Sequence, residues 1–255
     1  MKRVVVKVGS AVLTDNDEIA LNRMMALVNF LAELRKTNEV ILVSSGAVAA
    51  GYTALELDRS VIQNKQALAS IGQPILMNKY SKKFAIHGII TAQVLVTSAN
   101  FNKEDDIKRV KNTIDTLLCN GVIPIINEND ATSTLELVVG DNDQLSAYVT
   151  KHTGSDMLII LSDIDAYYDD DPRKNPDAKV LKVVNSINQE DLEKEATPHG
   201  VFATGGILTK LKAADYLLKH NLDMVLSSGY DLSDIKDFML HDKHTGGTLF
   251  TKVNS

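Results

Sequence analysis

One cysteine, Cys119, is present in 255 residues, so no disulfide framework can form within the chain, and a reducing cytoplasm is the expected compartment. Cys119 sits in the apolar-periodic run TLLCN and reads as a small buried hydrophobe rather than a nucleophile. No segment approaches the roughly 18 consecutive apolar residues of a membrane span. The opening MKRVVVKVGS has too short an apolar run for a signal peptide, and Lys7 interrupts it. Basic residues are not in surplus. Lys and Arg total 27 against 33 Asp and Glu, with a net charge of −6 and both signs interspersed. That argues against a nucleic-acid footprint, and it is too mild for an acidic tail. Neither GxxxxGKS/T nor GxGxxG occurs, so P-loop and dinucleotide-binding Rossmann readings have no motif support. The six histidines are scattered without ligand spacing and read as surface or half-buried groups. DIDAYYDDD (163–171) lacks the sixth-position glycine and the oxygen spacing of a calcium loop. No repeat or low-complexity segment stands out.

What is present is an alternation of strands and helices, in a length that suits one large α/β domain or two lobes sharing a cleft. VVVKV (4–8) is β-branched and reads as a buried parallel strand. From 21 to 34, Leu21, Met24, Met25, Val28, Leu31 and Leu34 mark one helix face. Further strands are expected at 40–44, 89–96, 122–126, 157–162, 224–229 and 247–253. Helices are expected at 61–70, 74–85, 204–220 and 233–240, and another begins near Asp141 or Asn142. Asn100 reads as the cap of a helix reaching about Cys119. Pro124 suggests an irregular or edge position for its strand. The polar stretch 169–179 reads as a flap or lobe junction, and 184–203 has too little pattern to assign. This order predicts a largely parallel sheet covered on both faces.

Ligands of such sheets bind outside the carboxyl ends of the strands. Polar and glycine-rich clusters follow the strands at Gly9-Ser10, Ser44-Ser45-Gly46, Asn127 to Asp130, Ser162-Asp163 and Ser227-Ser228-Gly229, and several should converge on one rim. Lys7, inside an apolar strand, either uses its charge on phosphate oxygens near the Gly9 and Ser10 backbone or snorkels at an edge. SSGAVAAG offers a helix mouth to an anion, or ordinary capping by Ser44 or Ser45. In TGGILTK, Lys210 lies about one turn inside a glycine-led helix. It reaches back to a phosphate or stays on the surface. The second TGG (245–247) precedes a strand and reads as a turn. Asp130 and Asn142, at element ends, would form a mixed site for a zwitterion such as an amino acid, if they do not serve only as Asx-turn and cap.

Together VVVKVGSAVLT, VSSGAVAAG, PIINENDA, VGDNDQLSA and TGGILTKLKAA resemble the amino acid kinase family, in order and over nearly the whole chain. INENDA and VGDND in series resemble its glutamate-phosphorylating branch more than its carbamate, uridylate or aspartate kinases. The resemblance implies a three-layer αβα sandwich with a mainly parallel central sheet. An N-lobe of about 1–150 would bind glutamate and a C-lobe of about 151–255 the nucleotide. It implies transfer of phosphate from ATP, with Mg²⁺, to the side-chain carboxylate of L-glutamate, the first committed step toward proline. Lys7 and Lys210 would contact the transferring phosphoryl group and Asp143 would hold them. Ser45, Asp130, Asn142, Gly46 and Asn127 would bind glutamate. Lys7, Gly9, Ser10, Ser162, Asp163, Thr204, Gly205, Gly206, Ile207, Leu208, Thr209 and Lys210 would line the nucleotide site, with Gly9, Ser10 and Gly46 presenting backbone N–H groups. No metal ligand is assigned. The resemblance also implies a homo-oligomer, feedback inhibition by proline and handover of the product to glutamyl phosphate reductase, with no nucleic-acid or membrane partner.

Two departures from the family stand out. Many members continue into a C-terminal PUA-type domain, and this chain, ending at Ser255 just after GTLFTKV, is expected to lack it. Val138 stands where members often carry a basic residue, which would alter the substrate loop or the response to an inhibitor. The competing readings are a relative acting on a different acid and a non-catalytic amino-acid sensor. A sensor would be expected to lose one of the two lysines, and both are present.

Overall fold

The computed structural model describes residues 1–16, 18–132, 142–193 and 206–252. VVVKV lies within β1 (Lys2–Val8), at the middle of the sheet. Parallel neighbours flank it: β4 (Asn38–Ser44) on one side and β7 (Met157–Ser162) on the other. Beyond β4 lie β6 (Ile123–Glu128) and β5 (Thr91–Val96). Beyond β7 lie β9 (Asp223–Ser228), β10 (Thr248–Phe250) and β8 (Val183–Val184), completing an eight-stranded sheet in the order β5-β6-β4-β1-β7-β9-β10-β8. Its pairings are parallel except β9 with β10. A separate two-residue ribbon joins β2 (Thr14–Asp15) to β3 (Glu18–Ile19).

The two-residue period of β1 decides what each face receives. Val4, Val6 and Val8 join one apolar layer with α2 (Leu21–Leu34), α4 (Ile62–Ala85) and α9 (Ser233–His241). Val5 joins the other, with α5 (Glu104–Cys119), α6 (Asn142–His152) and α8 (Gly206–Lys219). Lys7 is therefore on the α6 and α8 face. Helices on both sides of a mainly parallel sheet make the three-layer αβα sandwich. The register sets Val8 level with Ser44 and Leu161, and Ser162 level with Ser228, so these carboxyl ends form one rim. No helix among the described residues is long and apolar enough to cross a membrane.

Several local expectations change. The two helices expected at 61–70 and 74–85 are one 24-residue helix, Ile62–Ala85, that runs through Pro74. Burial of Leu68, Leu76, Tyr80 and Phe84 along it outweighs the roughly 3 kcal/mol that an interior proline costs. Pro124 lies in the second strand of the sheet, not at its edge. Ile123 donates to Ile90 on the β5 side, so the missing N–H of Pro124 turns toward β4, where pairing starts only at Ile125. Asn100 caps no α-helix. With Thr97 it closes a capping box on the 3₁₀ turn Ser98–Phe101, and α5 begins at Glu104. Cys119 is exposed, because it lies off the Ile107, Val110, Ile114 and Leu118 stripe that α5 packs on the core. Leu21 is exposed, and the buried stripe of α2 runs through Met24, Leu27, Val28, Leu31 and Leu34. The unassigned region contains β8's second residue, Val184, and α7 (Gln189–Glu193).

Close helix packing shapes the rim. α3 (Ala47–Tyr52) crosses α4 at two glycines. A Cβ on Gly72 would stand 1.8 Å from the Ala47 carbonyl oxygen, and one on Gly51 1.9 Å from that of Leu68. The contact seats the start of α3 and the Gln73 side of α4 against each other.

Candidate active site

Three charged side chains meet below the rim. Asp143, in the first turn of α6, reaches Lys7 Nζ through Oδ1 at 2.5 Å and Lys210 Nζ through Oδ2 at 3.1 Å. Lys210 also donates to the Gly206 carbonyl at 2.9 Å, and the Thr209 hydroxyl lies 2.8 Å from Asp143 Oδ2. All three charged residues are buried, at 6%, 2% and 5% exposure for Lys7, Asp143 and Lys210. Burial alone would lift the Asp143 carboxyl. The Lys7 and Lys210 ammoniums, with hydrogen bonds from Lys7 and Thr209, hold it down at about 2. The node thus carries two ammoniums on one carboxylate. Each ammonium has three donors, and neither spends all of them on these partners.

A buried amide chain leads away from the node. Asn142 Nδ2 donates to Ser45 Oγ at 2.8 Å and lies 3.1 Å from Asn127 Oδ1. Asn127 Nδ2 donates to Gln73 Oε1 at 2.9 Å, and Gln73 Nε2 to Gln93 Oε1 at 3.2 Å. Asn142 Oδ1 is buried without a partner among the described residues, an acceptor left for a ligand. Ser44 and Ser45 do not cap α3. Gly46 does, at φ +104, while Ser44 shares a 2.9 Å hydrogen bond with the Tyr80 hydroxyl.

Two clefts flank the node. One, of about 200 Å³, is lined by Gln73, Pro74, Gln93, Glu128 and Asp130. The other, of about 460 Å³, is lined by Asp163, Tyr168, Pro172, Arg173, Gly206 and Ile207. The first connects to the node through Gln73, Asn127 and Asn142, and the second through Gly206 and Lys210.

The structure thus brings Lys7, Asp143 and Lys210 together, and separately Ser45, Asn127 and Asn142, with Gly46 next in chain. Asp130 lines the smaller cleft. Gly9 departs from expectation, because its N–H donates to the Leu161 carbonyl at 3.0 Å and is spent in the sheet. What Gly9 offers is a bare α-carbon, since a Cβ there would stand 3.8 Å from Lys7 Nζ. Ser10 is exposed at the start of the next turn. Ser162 is buried, with its hydroxyl bonded to Asp163 Oδ1 at 2.9 Å, and Asp163 faces the larger cleft. Leu208 lies in a smaller hollow with Tyr167 and Asp191. Thr209 belongs to the node rather than to a cleft wall. Thr204, Gly205, Asp141 and Val138 lie outside the described residues. Sequence reasoning missed Gln73, Gln93 and Arg173. An amide among the apolar positions of α4 was the available signal for Gln73. Among the described residues no three acidic, histidine or cysteine groups cluster to hold a metal.

Fold and rim first define a class: an open parallel sheet with a cationic node at its carboxyl edge, between two clefts. Solved structures of the same shape include an isopentenyl phosphate kinase (TM-score 0.68, 17% identity, 98% of this chain and 100% of that one). Another is the UMP kinase of Ureaplasma parvum (TM-score 0.65, 16% identity, 98% and 99%). At such identities the likeness is one of fold. The model of the amino acid kinase family matches residues 2–227. A glutamate 5-kinase of Wolinella succinogenes is 51% identical over 99% of this chain and 98% of its own length. One of Leishmania donovani is 52% identical over 100% and 97%. The chain belongs to the amino acid kinase family, in its glutamate 5-kinase branch.

Proposed function

We propose that this protein transfers the γ-phosphoryl group of ATP to the side-chain carboxylate of L-glutamate, giving ADP and γ-glutamyl phosphate, the first step of proline biosynthesis. The observation that carries this reading is the Lys7–Asp143–Lys210 node between two clefts, in a chain half identical to glutamate 5-kinases along nearly its whole length.

The chemistry suits the groups present. A glutamate side chain, with an ordinary pKa of about 4.3, is already ionised at neutral pH and needs no general base. Its carboxylate oxygen forms a bond to the γ-phosphorus as the bond to the β-phosphate bridging oxygen breaks, and ADP leaves with that electron pair. Charge gathers on the phosphoryl oxygens in transit, so catalysis rests on position and positive charge. Lys7 and Lys210 meet that charge, and Asp143 aims both ammoniums without neutralising them.

Glutamate occupies the smaller cleft. Asp130 and Asn142 Oδ1 accept from its ammonium, while Ser45, Asn127 and the Gly46 backbone fix its orientation. The nucleotide occupies the larger cleft, beside Asp163, the Gly206–Ile207 helix start and, in the chain that leads to it, Thr204 and Gly205. This divides the chain into a glutamate lobe of about 1–150 and a nucleotide lobe of about 151–255. Mg²⁺ would come with the ATP phosphates and offset their charge, with Asp163 the carboxylate at the nucleotide cleft that would face it. The donor set fits that arrangement, since the buried Asp143 carboxylate is taken by lysines and the exposed Asp163 stands at the nucleotide cleft. The protein works in the cytoplasm as a homo-oligomer, is inhibited by proline and passes its labile acyl phosphate to glutamyl phosphate reductase.

The test is ADP release from ATP in the presence of glutamate, aspartate, carbamate or uridylate, with and without proline. Glutamate alone should support turnover. Turnover with aspartate and none with glutamate would overturn the substrate assignment, and glutamate binding without ADP release would favour a sensor.

A further inference from the structure

Beside the node, Ser10 begins a single helical turn, α1 (Ser10–Leu13). One turn does not hold itself, because nucleation fixes several residues for one hydrogen bond. Its amino end follows β1 through Gly9, where an added Cβ would stand 3.8 Å from Lys7 Nζ, so the turn starts beside that ammonium. Its carboxyl end is tied from outside. Arg23, on α2, donates from Nη1 to the Ala11 carbonyl at 3.2 Å and from Nη2 to the Thr14 carbonyl at 3.1 Å. The Asp15 carboxylate lies 3.5 Å from the same Nη2. The guanidinium also lies 5.1 Å from the centroid of the Tyr230 ring. The Tyr230 hydroxyl donates to the same Ala11 carbonyl at 3.3 Å. Tyr230 follows β9, so this contact joins chain segments far apart in sequence. Gly229, just before it, donates to the Ser162 carbonyl at 2.7 Å, and a Cβ on Gly229 would meet Val12 at 2.4 Å. The turn is thus gripped between α2 and the end of β9, with a cation at its carboxyl end, where the helical dipole favours one.

We propose that Arg23 and Tyr230 form a clasp that sets the Ser10–Leu13 turn against the Lys7 ammonium and so tunes the grip on the nucleotide's phosphates. Both are positioning residues acting through the turn. The proposal rests on the reading of the node as the phosphate site. Arginine is required because its planar fork spans two carbonyls, which a lysine ammonium cannot copy.

The experiment is calorimetric titration of wild type, Arg23→Ala, Arg23→Lys and Tyr230→Phe with MgATP and with adenosine, after circular dichroism and thermal melting of each. Arg23→Ala, which loses both hydrogen bonds to the turn, should weaken MgATP about tenfold and leave adenosine unchanged. Arg23→Lys should not restore the loss, whereas millimolar guanidinium should restore part of it to Arg23→Ala. Tyr230→Phe should weaken MgATP about threefold, as for one neutral hydrogen bond. Unchanged MgATP affinity in Arg23→Ala and Arg23→Lys, or equal weakening of MgATP and adenosine, overturns the clasp. Should Arg23→Ala fail to fold, Arg23→Lys and Tyr230→Phe carry the same contrast. Failure of the glutamate reading shows separately, as wild type that releases no ADP with glutamate, while the contrast between MgATP and adenosine still decides the clasp.

Discussion

Asp143 does two things with one carboxylate. It compensates two buried ammoniums, and in the proposed reaction it aims both at the place where phosphoryl charge develops. Asp143→Asn leaves Lys7 and Lys210 facing each other with no counter-charge. Breaking such a buried arrangement costs about 3–5 kcal/mol, read as a fall in the urea midpoint. Acid should erase that difference. The folded carboxyl, held at about 2 against an ordinary 3.8, stabilises fully above 3.8, and the contribution is lost as pH falls through 2. Urea unfolding of the two proteins at stepped pH should therefore converge between those values. A gap that stays constant would contradict the ion pairing. Lys210→Ala should lower kcat about 100-fold or more while moving the glutamate KM less than about threefold, because its charge matters most in the transition state. Asp130→Ala should do the reverse, raising the glutamate KM with little change in kcat. At this scale the sequence was half readable. A lysine inside the apolar VVVKV marked Lys7 as a candidate for phosphate, but nothing local named its partners, which come from 136 and 203 residues further along. Cys119 was misread because TLLCN is apolar, whereas the face that α5 packs on the core runs through Ile114 and Leu118 and leaves Cys119 outside.

At the scale of elements, the α3–α4 crossing matters most to the site. Gly51 and Gly72 let two backbones touch, and that contact seats Ala47 and Gln73 in the lining of the smaller cleft. Gly72→Ala cannot be absorbed by a flexible side chain, since the added carbon meets the Ala47 carbonyl at 1.8 Å. The helices must part, at a cost of several kcal/mol. The expected result is a melting temperature lowered by about 5 °C or more, with glutamate affinity lost before nucleotide affinity. A variant melting like wild type would show that the crossing is looser than the structure has it. Local propensity misled at this scale. Pro74 reads as a boundary, yet tertiary burial carries α4 through it. Pro124 reads as an edge marker, yet its missing N–H falls where the β4 ladder has not begun. Both were decided by neighbours in space.

For the whole molecule, the strand and helix order was readable because parallel strands buried on both faces appear as short apolar runs, and the amphipathic helices between them keep their own period. The convergence of strand ends on one rim followed from the sheet type. The seating of two clefts around one node was not readable, because Gln73, Gln93 and Arg173 line those clefts from elements with no motif of their own. The clearest trial of the account is to trap the acyl phosphate. Wild type and Lys210→Ala are incubated with ATP, glutamate and hydroxylamine, and the glutamyl hydroxamate is measured beside ADP. The account predicts equal amounts of hydroxamate and ADP from wild type, and about 100-fold less of both from Lys210→Ala. ADP without hydroxamate, or a Lys210→Ala rate equal to that of wild type, would contradict it.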